Sequence, residues 1–229
     1  MRRGNVVVVL LAAALVAGCG GSSGGAGSNG IDKLAADKAL DKVKAATATV
    51  KSVHVKGEIS QAGNTIGLDV HVSDGAGEGN LTVGGGTVEL RLVDGEAYLR
   101  GDEAALTSFG ASQTQVAATA NKWLKSAATG GQFQSFTTFL DLSTLFDSLL
   151  KPNGTIKAGT TTTLNGQQAY TLIDTASDGG TLYIALTGKA LPLRVAKAGS
   201  SGGHVDFLDY DADVSVQAPE GAIDISQLG

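Results

Sequence analysis

Two histidines lie close to carboxylates in the first half of the sequence, and these groups together could bind a metal ion. His54 and His71 fall on the polar sides of two neighbouring predicted strands, with Glu58 and Asp69 nearby. Imidazole nitrogens and carboxylate oxygens are ordinary zinc ligands. The two histidines are not spaced two or four residues apart, however, which would place them side by side on one strand or helix. Solvated surface histidines are therefore the preferred interpretation, and the sequence predicts no metal site.

Two short stretches match the Gly-x-Ser-x-Gly pattern of serine hydrolases, at residues 20–24 and 199–203. A nucleophile of that kind needs a strand before the serine and a helix after it. Ser201 is instead followed by the alternating segment 204–208, which is typical of a strand, and Ser22 lies in a Gly/Ser-rich segment. We therefore interpret both stretches as turn or linker, and the sequence predicts no enzyme.

An acidic run near the C-terminus is the remaining cluster of ionisable side chains. Asp206, Asp209, Asp211 and Asp213 follow one another at short intervals. Carboxylate oxygens are calcium ligands, but this spacing is not that of an EF-hand loop, so a solvated strand edge is the preferred interpretation. His204 shares a strand face with Asp206 and is equally unspecific. Because the sequence also carries no phosphate-binding loop and no dinucleotide fingerprint, it predicts no cofactor.

Cys19 has the most specific chemical context in the chain, and it is the single cysteine. Before it come two arginines, an apolar run over residues 6–17, and the small residues Ala17 and Gly18. An apolar run of about 12 residues is too short to cross a bilayer, but it fits the middle of a secretory signal. An apolar residue, two small residues and then a cysteine resemble the lipobox of bacterial lipoproteins.

In lipoproteins with a lipobox, the signal is removed before the cysteine and the cysteine thiol is diacylated. The resemblance therefore implies a lipoprotein signal peptide at residues 1–18 and attachment to a membrane through acylation of Cys19. It also implies a location on the extracytoplasmic face of the cell membrane. An ordinary signal peptide followed by an incidental cysteine is the alternative.

Composition narrows the class of the domain that follows the signal. A formal net charge of -5 argues against a nucleic-acid partner, because phosphate binding needs clustered Lys and Arg. Glycine is abundant at 33 residues and aromatic residues make up only 5%, which suits a β-rich fold with many turns. No later segment contains 18 consecutive apolar residues, so the sequence predicts no second membrane anchor.

Hydrophobic periodicity divides the rest of the chain into a tether and one domain. Residues 19–30 are rich in Gly and Ser, which predicts a flexible tether, and residues 31–229 form the domain. The segment 31–47 has helical spacing, with Ser28 or Asn29 placed to cap its start. Alternating apolar residues then predict strands at 51–60, 66–72, 78–83, 87–93 and 96–100.

Helical spacing returns in short segments between residues 102 and 150. Asp102 and Ser112 are placed to cap two helices, and the second of these is predicted to run to Leu124. Two further apolar stripes meet at a predicted break around residues 141–143. Strands are then predicted at 155–163, 168–174, 181–186, 191–197 and 204–208, with 210–216 as a candidate last strand.

The order of strands, then helices, then strands indicates an α+β fold. Asp94-Gly95 and Asn165-Gly166 are signals for tight hairpin turns, so each group of strands is expected to form an antiparallel meander. An antiparallel sheet with one apolar face needs a cover on that face. We therefore expect a large curved antiparallel sheet, covered on its concave face by the central helical segment.

These elements, taken in order, resemble the actinobacterial LppX/LprG-type lipoproteins, which share the half-barrel fold of the LolA-like lipoprotein carriers. Each matching feature is a turn or strand element or an apolar segment, and none is a catalytic signature. Besides the lipobox, they are Ser52-Val53-His54, Asp94-Gly95-Glu96-Ala97-Tyr98-Leu99, Asn121-Lys122-Trp123, the Leu-rich segment 142–150, Leu164-Asn165-Gly166-Gln167, Thr181-Leu182-Tyr183-Ile184 and Leu191-Pro192-Leu193-Arg194.

The resemblance implies an apolar cavity, between the sheet and its helices, that accepts acyl chains. The protein would then be a membrane-anchored carrier of lipids, glycolipids or lipoproteins across the cell envelope, with a membrane transporter as a further candidate partner. Taken singly, the apolar side chains that would face such a cavity are more typical of a packed core. The alternative function is an envelope binding or sensor module with a filled core and no lipid cargo. The candidate cavity residues are Val70, Leu90, Leu92, Phe133, Phe136, Phe146, Leu182 and Ile184.

Overall fold

One twelve-stranded sheet dominates the fold. The computed structural model describes residues 27–61, 64–129, 133–197 and 202–227. Its strands are β1 (Ser52–Gln61), β2 (Asn64–Ser73), β3 (Ala76–Val83), β4 (Gly86–Val93), β5 (Glu96–Gly101), β6 (Leu124–Ala127), β7 (Ile156–Leu164), β8 (Gln167–Asp174), β9 (Gly180–Ala185), β10 (Pro192–Lys197), β11 (His204–Leu208) and β12 (Ile223–Asp224). Its helices are α1 (Ala36–Thr47), α2 (Glu103–Ser108), α3 (Gln113–Thr119), α4 (Gln134–Thr137) and α5 (Leu142–Leu149), with 3₁₀ turns at Ile31–Lys33 and Ile225–Gln227. None of the helices in these ranges is long and apolar enough to cross a membrane.

The order of the strands across the sheet is β12-β6-β5-β4-β3-β2-β1-β11-β10-β9-β8-β7. Neighbouring strands are antiparallel, except that β12 pairs with β6 in parallel. The meander β1 to β5 and the meander β7 to β11 each keep chain order, and they join where β1 pairs with β11. The sheet is open and curved, which confirms the fold class predicted from the sequence.

Two glycines allow β1 and β11 to approach closely at this joint. A Cβ atom built on Gly57 would lie 2.0 Å from the backbone oxygen of His204. One built on Gly203 would lie 2.0 Å from the backbone oxygen of Glu58. A side chain at either position would therefore force the two strands apart.

Tight turns connect the strands at the two sites that the sequence marked. Asp94 and Gly95 have φ angles of 54° and 76°, and Asn165 and Gly166 have φ angles of 49° and 81°. Two successive residues with positive φ are what a type I′ hairpin turn requires. Both predicted hairpin turns are thus confirmed.

Helices α1 and α5 contribute the cover on the apolar face of the sheet. Helix α1 buries Ala39 and Val43, and α5 buries Leu145 and Phe146. The Phe146 ring stacks on Phe207 of β11, with ring centroids 5.7 Å apart. These side chains form one apolar cluster with those of the strands, so the predicted helical layer over the sheet is confirmed.

Polar side chains cap the N-termini of three helices. Asp102 accepts a hydrogen bond from the backbone N–H of Ala105 at 2.8 Å. Ser112 and Gln115 form a reciprocal capping box at the start of α3. Asp141 caps α5 through its side chain, which places a helix start at the predicted break. The predicted caps at Asp102 and Ser112 are both confirmed.

The segment 31–47, predicted as one helix, is divided in the structure. Ile31–Lys33 forms a 3₁₀ turn, and Leu34 then takes an extended conformation. Helix α1 begins only at Ala36, and its N-cap residue makes no side-chain hydrogen bond. The apolar spacing was common to both pieces, so it did not reveal the break between them.

The sequence suggested Ser28 or Asn29 as the cap of this segment, but neither caps α1, because α1 begins only at Ala36. The Asn29 side chain instead accepts the backbone N–H of Ile31 at 3.2 Å, at the start of the 3₁₀ turn. Both residues are also attached to the sheet. Ser28 forms a β-bridge with Thr187. The backbone N–H of Asn29 donates to the backbone oxygen of Leu186 at 2.8 Å. The end of the segment 19–30 is therefore held by the domain from Ser28 onward.

The helix predicted from Ser112 to Leu124 is too long. Helix α3 ends at Thr119, and Asn121 then takes a left-handed conformation with φ of 60°. Leu124 belongs to β6, where it pairs with Leu99 of β5. The unpaired edge of β5 supplied a tertiary partner that local helical spacing did not indicate.

The candidate last strand at 210–216 is also wrong. Asp209 and Asp211 have left-handed φ angles of 47° and 60° and form a turn after β11. The last strand is instead β12, which pairs with β6 at the far edge of the sheet. This partner is distant in the chain, so local alternation gave no sign of it.

Candidate functional site

The first candidate site is a pocket of about 240 Å³ between the end of α5 and strands β8 to β11. Its polar lining residues Lys151, Asn153, Asp178 and Lys197 are exposed, so the pocket meets solvent on their side. The remaining surface is mostly apolar and is buried or half-buried. The apolar lining consists of Leu40, Ile59, Leu149, Leu150, Pro152, Ile156, Leu172, Leu182, Val195, Ala196 and Val205.

The second candidate site is a pocket of about 720 Å³ between the end of α1, the start of β1, the β2–β3 turn and α5. Val50, Leu142, Phe146 and Leu150 are among its apolar lining residues. Leu150 lines the first pocket as well, so this side chain lies between the two. The volume falls within the range of about 300–1,000 Å³ that is common for small-molecule sites.

Charged side chains of both signs line the second pocket. Lys44 and Lys51 are exposed there, together with Asp74 and Asp147. Asp141 is partly buried, but hydrogen bonds from Thr144 and Ser143 outweigh the effect of burial and lower the pKa of its carboxyl group below the usual range. An apolar wall beside charged groups suits an amphipathic ligand, with an apolar part inside and a polar part toward water.

The eight predicted cavity residues lie in the interior, but the structure does not bring them around one cavity. Leu182 lines the first pocket and Phe146 lines the second. Phe136 is partly buried, and its ring meets that of Phe109 edge-on with centroids 5.2 Å apart. Most of the set thus belongs to the packed core. The residues outside both pocket linings are Val70, Leu90, Leu92, Phe133, Phe136 and Ile184.

Most of the apolar pocket lining was not singled out from the sequence. The sequence placed Leu149 and Leu150 in the Leu-rich segment and Val205 in an alternating strand, but it did not mark them as pocket residues. An inward-facing side chain lines a pocket only where the helices leave space on the concave side of the sheet. That is a property of tertiary packing, and periodicity does not report it.

The outer face of the sheet brings His54, His71 and Asp69 into contact with one another. His54 and His71 are directly opposite in the β1–β2 register, and their rings stack with centroids 3.9 Å apart. His54 Nε2 lies 2.7 Å from Asp69 Oδ1, and Lys56 Nζ donates to Asp69 Oδ2 at 2.6 Å. Burial raises the pKa of Asp69, but hydrogen bonds from Lys56 and His54 outweigh it and lower that pKa below the usual range.

Three of the four aspartates of the acidic run have separate partners. Asp206 pairs with the guanidinium of Arg194, with Nη2 2.7 Å from Oδ2. Asp209 Oδ2 lies 3.5 Å from His54 Nδ1. Asp211 accepts a backbone N–H from the residue before β1 at 2.8 Å. These carboxylates serve the packing of β11 and its following turn against the sheet.

Three residues that the sequence raised as candidates for chemistry lie outside the described residues. They are Cys19, the predicted lipid attachment site, and Ser22 and Ser201 of the two Gly-x-Ser-x-Gly stretches. Lipid attachment at Cys19, and the interpretation of the two serines as linker and turn, stay predictions from the sequence.

Comparison with known proteins adds information at the level of the fold. No family model matches the sequence, and no curated protein matches it. LprF from Mycobacterium bovis superposes with a TM-score of 0.54 and is 14% identical, with the match covering 86% of this chain and 100% of LprF. Lipoprotein LppX from Mycobacterium tuberculosis gives a TM-score of 0.51 and 17% identity, covering 79% of this chain and 100% of LppX. The chain has the LppX/LprF half-barrel fold.

The shared half-barrel confirms the resemblance that ordered turn and strand features had indicated in the sequence. The two pockets described above lie beside α5, one on each side of Leu150. At 14% and 17% identity the likeness concerns the fold alone. The nature of a ligand must therefore be argued from the pockets themselves.

Proposed function

We propose that this protein is a membrane-anchored lipoprotein that binds acyl chains of lipids, glycolipids or lipoproteins and carries them within the cell envelope. In this proposal, residues 1–18 are the signal peptide, Cys19 carries the anchoring acyl groups, and a half-barrel binding domain follows. The protein acts at the extracytoplasmic face of the membrane and is not an enzyme. A membrane transporter is the proposed partner for delivering or accepting the cargo.

The observation that carries the proposal is the pair of pockets on either side of Leu150. They have volumes of about 240 and 720 Å³ and combine an apolar wall with exposed charged residues. Each methylene transferred from water into an apolar site contributes about 0.8 kcal/mol. Eight methylenes would thus contribute about 6 kcal/mol, so an acyl chain can be held without a specific polar contact. A charged head group would remain near the exposed lysines and aspartates.

The tether supports the same proposal through its reach. Ser28 is bridged to the sheet, which leaves eight residues, 20–27, between the proposed anchor and the domain. A flexible chain of that length has a root-mean-square extension of about 16 Å. The half-barrel would thus stay beside the lipid surface from which its cargo comes.

Lipid recovered with the purified protein is the direct test. A Cys19→Ala form removes the covalent anchor, so any lipid found by native mass spectrometry and solvent extraction must be bound non-covalently. We expect lipid with acyl chains to be recovered in a near-stoichiometric amount. If no lipid is recovered, and none is taken up from added vesicles, the protein is a binding or sensor module without lipid cargo.

A substitution that fills the first pocket should separate binding from stability. Val195 lines this pocket and is only partly buried, so Val195→Trp is expected to lower uptake of a fluorescent fatty acid several-fold. The matched control is Ile173→Trp, because Ile173 is 40% exposed and neighbours the pocket residue Leu172 on the same strand. Equal uptake by the two variants, with equal urea stability, would contradict a role for the first pocket.

A further inference from the structure

The outer face of the half-barrel holds a compact group of metal-ligand side chains that the lipid proposal does not use. The ligand atoms of His54, Asp69 and His71 all lie within 4.8 Å of one another. His54 comes from β1, and the other two residues come from β2, where the β1–β2 register places His71 directly opposite His54. None of the three lines either pocket described above.

The two imidazole rings are nearly parallel, with 12° between their planes, so a shared metal ion requires one ring to turn out of the stack. Zinc binds imidazole nitrogen at about 2.0–2.1 Å and carboxylate oxygen at about 2.0–2.2 Å, so tetrahedral ligand atoms are about 3.4 Å apart. The His54 Nε2 to Asp69 Oδ1 distance is 2.7 Å, and the stacked rings have centroids 3.9 Å apart. Rotation of the His71 ring about its side-chain bonds, with Asp69 moving slightly away from His54, would admit the ion.

The neighbouring charges favour a cation at this position. Asp209 places a carboxylate oxygen 3.5 Å from His54 Nδ1, and Glu78 is opposite His71 in the β2–β3 register. Lys56 binds Asp69 through Oδ2 and leaves Oδ1 toward His54. A hydrogen bond to the second oxygen of a ligating carboxylate is the usual way in which such a ligand is oriented. Two cations, Lys56 and Arg91, lie near these groups, and Arg91 is 3.6 Å from Glu78. The three carboxylates of Asp69, Asp209 and Glu78 outnumber them, so the net charge around the site is negative.

We propose that His54, His71 and Asp69 form a binding site for a divalent transition-metal cation such as Zn²⁺ on the outer face of the sheet. Two imidazoles with one carboxylate are suited to Zn²⁺, Co²⁺, Ni²⁺ and Cu²⁺, whereas Ca²⁺ and Mg²⁺ prefer sites made of oxygen ligands. Three protein ligands leave at least one coordination position for water or for a group from a partner. The site is independent of the acyl-chain pockets, so its test does not depend on whether the proposed function is correct.

Titration with Co²⁺ tests the site in the full chain, purified in detergent without a polyhistidine tag. A Cys19→Ser background removes the only thiol, which would otherwise compete for the metal. We expect one Co²⁺ per chain, with a visible absorption band that Zn²⁺ displaces and that Ca²⁺ and Mg²⁺ do not. His54→Gln and His71→Gln should each weaken Co²⁺ binding at least tenfold. His204→Gln is the matched control, because His204 is the third histidine and lies in β11 outside the cluster, and it should bind as the parent does.

Imidazole NMR signals provide a second measurement that needs no destabilising substitution. The chain has three histidines, and Zn²⁺ should shift the ring resonances of two of them while leaving the third, identified with His204→Gln, unchanged. Absence of any Co²⁺ or Zn²⁺ binding would overturn the proposal. Binding that survives unchanged in His54→Gln and His71→Gln, or that shifts the His204 ring alone, would overturn it as well.

Discussion

At the scale of single residues, short polar side chains fix the junctions between helices and strands. Asp102 illustrates this, since it accepts backbone N–H groups from both Ala105 in α2 and Thr87 in β4, each at 2.8 Å. These hydrogen bonds favour the ionised carboxylate, so they lower the pKa of Asp102. One side chain thus accepts a hydrogen bond from a backbone N–H in the first turn of a helix and joins that helix to the sheet.

We expect Asp102→Ala to lower the free energy of unfolding by about 1–2 kcal/mol at neutral pH, as is usual for loss of an N-cap. The pKa of this carboxyl is lower in the folded chain than the ordinary 3.8, so unfolding increases its proton affinity. Its electrostatic contribution is therefore complete above 3.8 and is lost as the pH falls through the lower folded value. Urea unfolding of both proteins between about pH 7 and pH 2 should show the difference narrowing toward the acid end.

Asp102→Asn serves as the control, because an asparagine oxygen can still accept one of the hydrogen bonds but carries no charge. Its loss of stability should be smaller than that of Asp102→Ala. A difference between wild type and Asp102→Ala that stays constant down to the acid end would contradict the assigned role of the ionised carboxylate.

At the scale of elements, α5 has two roles in the half-barrel. It buries Leu145 and Phe146 against the sheet, and its end separates the two pockets through Leu150. The Phe146 ring, 5% exposed, both stacks on Phe207 and lines the second pocket. Packing of this helix therefore determines how much of the curved sheet stays open.

Phe146→Ala should lower the free energy of unfolding by about 3–5 kcal/mol, since it removes a buried ring and leaves a cavity. The same change widens the second pocket, so fatty-acid uptake by the fraction that remains folded should be kept. Ser148→Ala, at an exposed position of the same helix, should change stability by less than about 0.5 kcal/mol. Urea unfolding measures both, and a loss of less than 1 kcal/mol for Phe146→Ala would show that the ring is not packed as described.

At the scale of the whole molecule, the β1–β11 joint converts two meanders into one sheet. The joint pairs residues that are about 150 positions apart, such as Val55 with Phe207. Gly57 and Gly203 make the approach close enough for the ladder to form. The long edges of both meanders would otherwise carry unpaired backbone groups, which is costly where they are buried.

Gly57→Val should therefore weaken the connection between the two halves, with a loss of about 3 kcal/mol from overpacking at the joint. Trp123, the single tryptophan, lies in the first half, and the guanidinium carbons of Arg91 and Arg100 are 5.1 and 4.8 Å from its ring centroid. Its fluorescence therefore reports on that half, and circular dichroism reports on the whole sheet. We expect the two urea transitions to coincide in the wild type and to separate in Gly57→Val.

The control for this prediction is Ser60→Val, which places the same side chain three residues further along β1 at a half-exposed position. It should leave both transitions close to those of the wild type. If Gly57→Val and Ser60→Val have the same stability, the close approach at Gly57 does not limit the joint.

The strands and turns were largely predictable because their signals are local. Alternating side chains in β4 and the Asp94-Gly95 and Asn165-Gly166 turns depend only on residues a few positions apart. The edge strands were not predictable in the same way. Leu124 in β6 and the short β12 have strand structure because a sheet edge is available to them, and that edge is created by distant parts of the chain.

The same distinction between local and long-range signals applies to the candidate sites. Local sequence patterns were sufficient to predict the lipobox resemblance of Cys19, the two meanders, and the family of folds to which their order belongs. Tertiary structure alone decided that Val70 and Ile184 are packed core while Val195 and Leu150 border open space. It alone also brought His54 against His71 and Asp69. Local patterns fix which side of a strand a residue occupies, whereas the space and the neighbours on that side depend on strand register and on how the helices fill the curved sheet.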